Sequence, residues 1–286
     1  MDNVNSIVRR TESQIRLSDA GMRYRRSWSP ENPSRSMILV HGYAEHSGRY
    51  DEMAMHFARR GFAVHAYDQS GHGRSRGPRG HVDRFDRMLD ELESFSEFVH
   101  DEQSGLPSFL VGHSMGGLVA AATVAFRKPK IDRLILSGAL LELAADTSIW
   151  KRAATRILAP LGSRVGLSVG LSTEGLSRDP EVGRRYEADP YVKDRMSARF
   201  ASEMIAMVKR MPEAASKIEI AALLLHGEVD PISPTSGSRT FFEGLPKSIL
   251  GKSRLHVYPN LRHEIFNEPE RRQVWQDIID WIDDAP

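Results

Sequence analysis

The sequence predicts an α/β protein built on a mostly parallel, eight-stranded sheet with helices on both faces, and three observations carry that prediction. Apolar runs of strand character alternate with helical patterns along most of the 286 residues, the signature of a parallel sheet covered on both sides. The hexapeptide Gly112-His113-Ser114-Met115-Gly116-Gly117 stands between the apolar run Phe109-Leu110-Val111 and a small, apolar helical stretch. An irregular helical interval over 140–211, broken by Pro160, Gly162, Gly166, Gly170, Gly175, Pro180 and Pro190, interrupts the alternation, which then resumes.

The elements follow in order. A hairpin pairs residues 12–18 with 22–28 around Asp19-Ala20-Gly21, a turn sequence. Next come a strand at 37–40, a helix at 50–60, a strand at 62–67, a helix at 87–102, a strand at 108–111, the helix after Ser114 and a strand at 133–136. Beyond the interval lie a buried strand at 222–227, a helix, a strand at 254–258 and a final helix at 268–284. The organisation predicted is a core in two parts, 1–139 and 212–286, with a helical cap at 140–211. Loops at the carboxyl ends of strands form the site in an open α/β sheet, so an insertion there is placed to act as a lid. Its apolar side chains, Ile149, Trp150, Ile157, Leu158, Leu161, Val165, Leu167, Val169 and Leu171, either line a hydrophobic entrance or pack the insertion itself.

Composition narrows the function classes. Hydrophobic residues make up 40% and charged residues 27%, ordinary for a globular protein. With 39 basic and 38 acidic side chains the net charge is +1, which gives no footprint for nucleic acid or an anionic membrane. Cysteine is absent, which excludes disulfides, thiol catalysis and cysteine-ligated metals. The first residues show no basic start followed by an apolar run, and no stretch is long and apolar enough to span a bilayer, so a cytoplasmic protein is expected.

The hexapeptide fits GxSxG, the pattern of a sharp strand-to-helix turn in which flanking glycines remove side chains that would clash. Ser114 is the candidate nucleophile. A serine hydroxyl needs a base to take its proton and a third group to orient that base. The chain supplies both in the order serine, acid, histidine. Asp230 lies in the loop after the 222–227 strand and His263 in the loop after the 254–258 strand. Glu228 is the rival acid, and Asp230 is favoured by its place before Pro231. Of the eleven histidines, His226 and His256 fall inside strand patterns and read as core residues. His41 and His113 flank the proposed site, and His72 and His81 read as structural members of a glycine-rich loop. Acyl transfer also needs donors for the oxyanion. The backbone N–H of Met115, at the start of a helix, is one, and that of Tyr43, after the 37–40 strand, is the other.

These motifs together resemble the monoacylglycerol lipase and lysophospholipase family of the α/β-hydrolase superfamily, the serine aminopeptidase-like group. The resemblance rests on HGYAEHSGRY at 41–50, YDQSGHGRSRGPRGHV at 67–82, GHSMGG at 112–117, Asp230-Pro231 and His263, with LSRDPEVGRRYEADP at 176–190 similar to the family's lid segment. It implies the triad Ser114, Asp230 and His263, the oxyanion pair Tyr43 and Met115, and a polar headgroup site at Glu45, Arg49 and Tyr186. Read from the residues alone, Glu45 and Arg49 either bind substrate hydroxyls or pair with each other to hold the loop. Where some relatives carry a second histidine three residues after the base, this chain has Phe266, which implies a less polar glycerol side and keeps a broader esterase open.

The expected activity is hydrolysis of a carboxylic ester, a monoacylglycerol or related lipid monoester, with no organic cofactor and no metal. The expected partner is a small lipid ester, with no nucleic acid and no integral membrane association. The apolar cap also suits transient contact with a lipid surface. A broad carboxylesterase or lysophospholipase is the alternative within the same chemistry. A non-catalytic receptor of the same fold is the alternative outside it. Dehalogenases and epoxide hydrolases of this fold need an Asp where Ser114 stands.

Overall fold

The computed structural model describes residues 7–17, 21–144 and 172–284. The apolar residues from Ile149 to Leu171 named above, and the turn residues Asp19 and Ala20, lie outside them. Eight strands form one sheet: β1 (Val8–Leu17), β2 (Gly21–Pro30), β3 (Arg35–Val40), β4 (Phe62–Tyr67), β5 (Ser108–His113), β6 (Arg133–Ser137), β7 (Ala221–Gly227) and β8 (Arg254–Tyr258). Their order is β1-β2-β4-β3-β5-β6-β7-β8. β1 and β2 form the predicted antiparallel hairpin, β2 is antiparallel to β4, and every later neighbour is parallel.

The central strands read as apolar runs because both faces are covered. Ile38, Val40, Leu110, Leu134, Leu136 and Leu224 point to one face, where they pack with Leu92, Leu118 and Phe241. These belong to α2 (Asp86–Glu102), α3 (Met115–Arg127) and a later helix, Thr235–Glu243. Met37, Leu39, Phe109, Val111, Ile135 and Leu223 point to the other face with Phe57, Val274, Trp275 and Ile278. Those side chains come from α1 (Asp51–Ala58) and the last helix, Arg271–Asp283. The two-residue period of the strands thus sorts the core into two layers.

The helix expected at 50–60 is α1, entered through a 3₁₀ turn, Ser47–Tyr50, and left through Gly61 at φ 89°. One expectation needs correction. His256 is not a core residue. β8 is the sheet's edge strand, and the His256 side chain is about half exposed and stacks on Tyr258 with ring centroids 4.1 Å apart.

Within 140–211 the described portion holds a 3₁₀ turn, Thr173–Gly175, then α4 (Pro180–Ala188) and α5 (Ala198–Val208). Asp179 caps α4 by accepting the Glu181 N–H, and Ser197 caps α5 by accepting that of Phe200. α5 buries Phe200, Ala201 and Met204 in the same layer as α2 and α3. The glycine-rich loop holds it there: Ser197 N–H donates to Gly80 O at 2.8 Å, and His81 Nδ1 lies 2.8 Å from Ser197 Oγ. This is the structural role expected of His81. No helix among the described residues is long and apolar enough to cross a membrane.

Trp275 is buried between the sheet and the last helix. Trp275→Ala should lower unfolding free energy by about 3–5 kcal/mol, read as a drop in the urea midpoint with little change in slope.

Candidate active site

The site forms where the parallel strands end. β5 stops at His113 and α3 begins at Met115, so Ser114 alone turns the chain. Its backbone sits at φ 53°, ψ −121°, a region that costs a non-glycine residue on the order of 1–3 kcal/mol. The flanking glycines explain why the turn closes. A Cβ on Gly116 would lie 2.2 Å from Val40 O and 2.4 Å from His41 O, and one on Gly112 would lie 2.5 Å from Gly116 O. Ser114 N–H donates to Ser137 O at 3.0 Å, and its carbonyl accepts from Leu118 and Leu140. The turn is thereby tied to α3 and to the end of β6.

The loop after β7 delivers Asp230. Oδ1 accepts the N–H groups of Ile232 and Ser233 at 2.8 and 2.9 Å. Oδ2 faces two imidazoles, His263 Nδ1 at 2.7 Å and His226 Nε2 at 3.1 Å. A carboxylate only accepts, so the proton on His263 lies on Nδ1 and Nε2 is left as the free base. Burial opposes ionisation of Asp230, yet the two imidazoles hold its carboxyl far below the usual carboxylate range. Burial likewise disfavours the His263 imidazolium, but the Asp230 carboxylate beside it outweighs this and raises the pKa. His226 is the buried, hydrogen-bonded residue the strand pattern suggested, with Nδ1 2.8 Å from Ser238 Oγ, but its grip on Asp230 was not foreseen. Glu228 points elsewhere, toward Asn260 N–H.

The loop after β3 is held from within. Gln69 N–H donates to His41 Nε2 at 3.0 Å, so Nδ1 carries the His41 proton and donates to Gly42 O at 2.8 Å. Burial pushes the His41 pKa down. Glu45 Oε1 accepts from Gly42 N–H and from the Tyr50 hydroxyl. Glu45 Oε2 takes Arg49 Nη1 at 2.8 Å, so the ion pair expected from the sequence is present. Arg49 also forks onto Glu264, Nη1 to Oε1 at 2.7 Å and Nη2 to Oε2 at 2.8 Å. Burial opposes the Glu45 carboxylate, yet Arg49 and its other neighbours hold it down to about 2.

Ser114 and His263 line one cavity of about 240 Å³. Tyr43, Met115 and His113 border the same space, as do Glu45, Arg49, Glu264 and Tyr186. Its apolar wall includes Leu140, Leu176, Met196, Met204 and Ile232. Asp230 stands behind His263, outside the lining. Met115 opens α3, so its N–H has no carbonyl one turn earlier in the helix to bond. Tyr186 lies under the Arg49 guanidinium, 4.9 Å from ring centre to Cζ. Burial pushes His113 down to about 4, which keeps it neutral at pH 7. No cluster of three or more metal-ligating side chains occurs among the described residues.

The structure corrects one residue and adds another. Phe266 does not face the cavity; it is buried in the layer of Trp275 and Ile278, and so leaves the cavity's polarity unchanged. Glu264 is the polar neighbour of His263 that does line the cavity. It follows His263 directly in the chain, but its partner Arg49 is 215 positions away, a pairing no local pattern announces.

The sheet order, the strained serine at the β5–α3 turn and the carboxylate-held imidazole sharing its cavity define a hydrolase of the α/β-hydrolase fold. The chain belongs to the hydrolase family described as serine aminopeptidase, S33, whose model matches residues 31–270. It is 34% identical over 257 residues to a monoacylglycerol lipase of Mycolicibacterium smegmatis, covering 89% of this chain and 90% of the relative. The crystal structure of Paleococcus ferrophilus monoacylglycerol lipase matches with a TM-score of 0.79 at 32% identity, covering 91% of this chain and 98% of that one. A soluble variant of monoglyceride lipase from Saccharomyces cerevisiae, in complex with a substrate analogue, shares the fold with a TM-score of 0.85 at 24% identity, over 98% and 97% of the two chains.

Arg49→Met would leave Glu45 and Glu264 buried without their cation. It should cost about 3–5 kcal/mol at pH 7, measured by urea unfolding. The depressed pKa of Glu45 marks stability present above the unfolded carboxylate pKa and lost as pH falls toward 2. In Arg49→Met the Glu45 carboxylate, buried without that cation, takes up a proton in the folded state instead, so the deficit should shrink between pH 7 and pH 5.

Proposed function

We propose that this protein is a serine hydrolase that cleaves carboxylic esters, with monoacylglycerols as its substrates, through an acyl-enzyme on Ser114. The observation that carries the proposal is the shared cavity of Ser114 and His263, with Asp230 hydrogen-bonded to the far nitrogen of that imidazole. His263 Nε2 takes the Ser114 proton as Oγ attacks the ester carbonyl. The backbone amides of Tyr43 and Met115 receive the oxyanion, and His263 then returns the proton to the departing alcohol. Water enters by the same route in reverse: His263 deprotonates it, the acyl-enzyme carbonyl is attacked, and Ser114 leaves with the proton. Asp230 fixes the tautomer and stabilises the transient imidazolium without itself taking a proton.

The apolar wall accommodates an acyl chain, and the buried polar end at Glu45, Arg49 and Tyr186 accommodates a small hydroxylic alcohol. The names borne by the relatives in M. smegmatis and P. ferrophilus support monoacylglycerols. Residues 140–211 serve as a cap in this proposal, since Leu176, Tyr186, Met196 and Met204 all contribute to the cavity from that interval. Transient contact of this cap with a lipid surface is part of the same reading. The broader esterase drew on Phe266, which lies away from the cavity, so the acylglycerol reading is preferred.

Ser114→Ala should cut kcat for a monoacylglycerol by roughly 10^4-fold or more while the protein stays folded. Near-normal turnover of the variant, or no adduct on Ser114 after treatment of the wild type with a fluorophosphonate, would refute the assignment and favour the receptor. The neutral imidazole is the working base, so kcat/KM should rise with pH through a limb lying above the ordinary histidine value of about 6.5. Asp230→Asn removes the carboxylate that raises that pKa. It should move the limb to lower pH and reduce kcat by about 10^4-fold.

A further inference from the structure

Arg49 is the only fixed cation in the described lining of the cavity, and it is already spent on two carboxylates. Its three hydrogen bonds to Glu45 and Glu264 use both terminal nitrogens, and the side chains of Glu45, Glu264 and Arg49 are only 4%, 5% and 10% exposed. One guanidinium between two carboxylates leaves one negative charge in excess. Nothing else in the described lining offsets it. His113 stays neutral, and any positive charge gained by His263 is matched by Asp230. Asn267 Nδ2 donates to Glu264 Oε2 at 2.6 Å, which fixes the carboxylate in place but brings no charge.

Phosphate recognition ordinarily relies on a guanidinium fork or a free ammonium. Here the fork is turned onto Glu264 instead. Uncharged groups do find partners: the hydroxyls of Tyr43 and Tyr186 are buried at this cavity with no hydrogen-bond partner among the described residues. The hydroxyls of a neutral alcohol can be offered to such groups at no electrostatic cost, whereas an anion brought beside a net negative cluster of buried side chains meets repulsion.

We infer that Glu264 determines headgroup specificity: with Glu45 it overcompensates Arg49, so the cavity takes esters of neutral, hydroxyl-bearing alcohols and rejects esters whose alcohol carries a phosphate. This inference rests on the ester hydrolase reading above and deepens it by separating a monoacylglycerol lipase from a lysophospholipase at one residue.

The test compares kcat/KM for monooctanoylglycerol and for its phosphate ester, octanoyl lysophosphatidic acid, both below their aggregation limits. Wild type should favour the uncharged ester by at least about tenfold, as like-charge juxtaposition predicts. Glu264→Gln should reduce that ratio about tenfold, mainly through improved turnover of the phosphate ester, and Glu264→Asp, which keeps the charge, should retain the preference. A wild-type measurement guards against misfolding of the variants: free glycerol should slow fluorophosphonate labelling of Ser114 more than glycerol 3-phosphate does at equal concentration. Equal turnover of the two esters, a preference for the phosphate ester, an unchanged ratio in Glu264→Gln, or equal protection by the two alcohols overturns the specificity inference and leaves ester hydrolysis standing. Failure of wild type to cleave either ester overturns the hydrolase reading itself and the inference with it.

Discussion

Everything at the site depends on one steric permission: the start of α3 passes within contact of the end of β3, and no side chain can stand between them. Gly116 meets the Val40 and His41 carbonyls, and Gly112 meets Gly116. With the helix drawn in so closely, one residue has to make the whole turn from β5, and Ser114 does so at a backbone conformation it would not choose. The strain is held by hydrogen bonds to Ser137, Leu118 and Leu140. Its result is that a hydroxyl and the first amide of a helix are presented together at the cavity.

Around that turn the molecule solves a problem of buried charge. Carboxylates at Glu45, Asp230 and Glu264 have almost no solvent contact. Each is met by cationic or hydrogen-bonding partners, without which burying it would be costly. Two separate networks result. Asp230 is gripped by β7's own His226, by two loop amides and by His263, which fixes the orientation of the His263 imidazole. Glu45 and Glu264 close on Arg49, which joins the loop after β3 to the loop after β8. In the proposed mechanism one network serves proton transfer while the other lines the cavity, and His263 and Glu264, one from each, are adjacent in the chain.

The local features of this arrangement were legible in the sequence. Each strand of the parallel part appears as a short apolar run. The GxSxG turn, the Asp-Pro loop and the late histidine all announce themselves through neighbours a few residues away. What escaped was set by contacts across the fold. β8 has the pattern of an inner strand, but only its place at the sheet edge tells that His256 is exposed. Phe266 looks like a substitution in the site until the 3₁₀ turn Ile265–Asn267 rotates it into the core. Glu264 carries no mark of its own in the sequence, because its partner Arg49 arrives from the other end of the chain. Likewise, the helix Ala198–Val208 belongs by sequence position to an inserted segment, yet it packs with the core layer of α2 and α3.

The loop that carries the histidine is not anchored by the sheet alone. His263 N–H donates to Gly175 O at 3.4 Å and Glu264 N–H to Leu176 O at 2.7 Å, which ties the loop to the arm at 174–176, where Gly175 and Leu176 line the cavity. Arg262 Nη1 adds a bond to Glu174 O at 2.6 Å. Three consecutive residues are thus laced to three consecutive residues of that arm. Displacing residues 174–176 would therefore tug on the loop that aims the His263 imidazole, so the placement of that ring is geared to this stretch of the cavity wall.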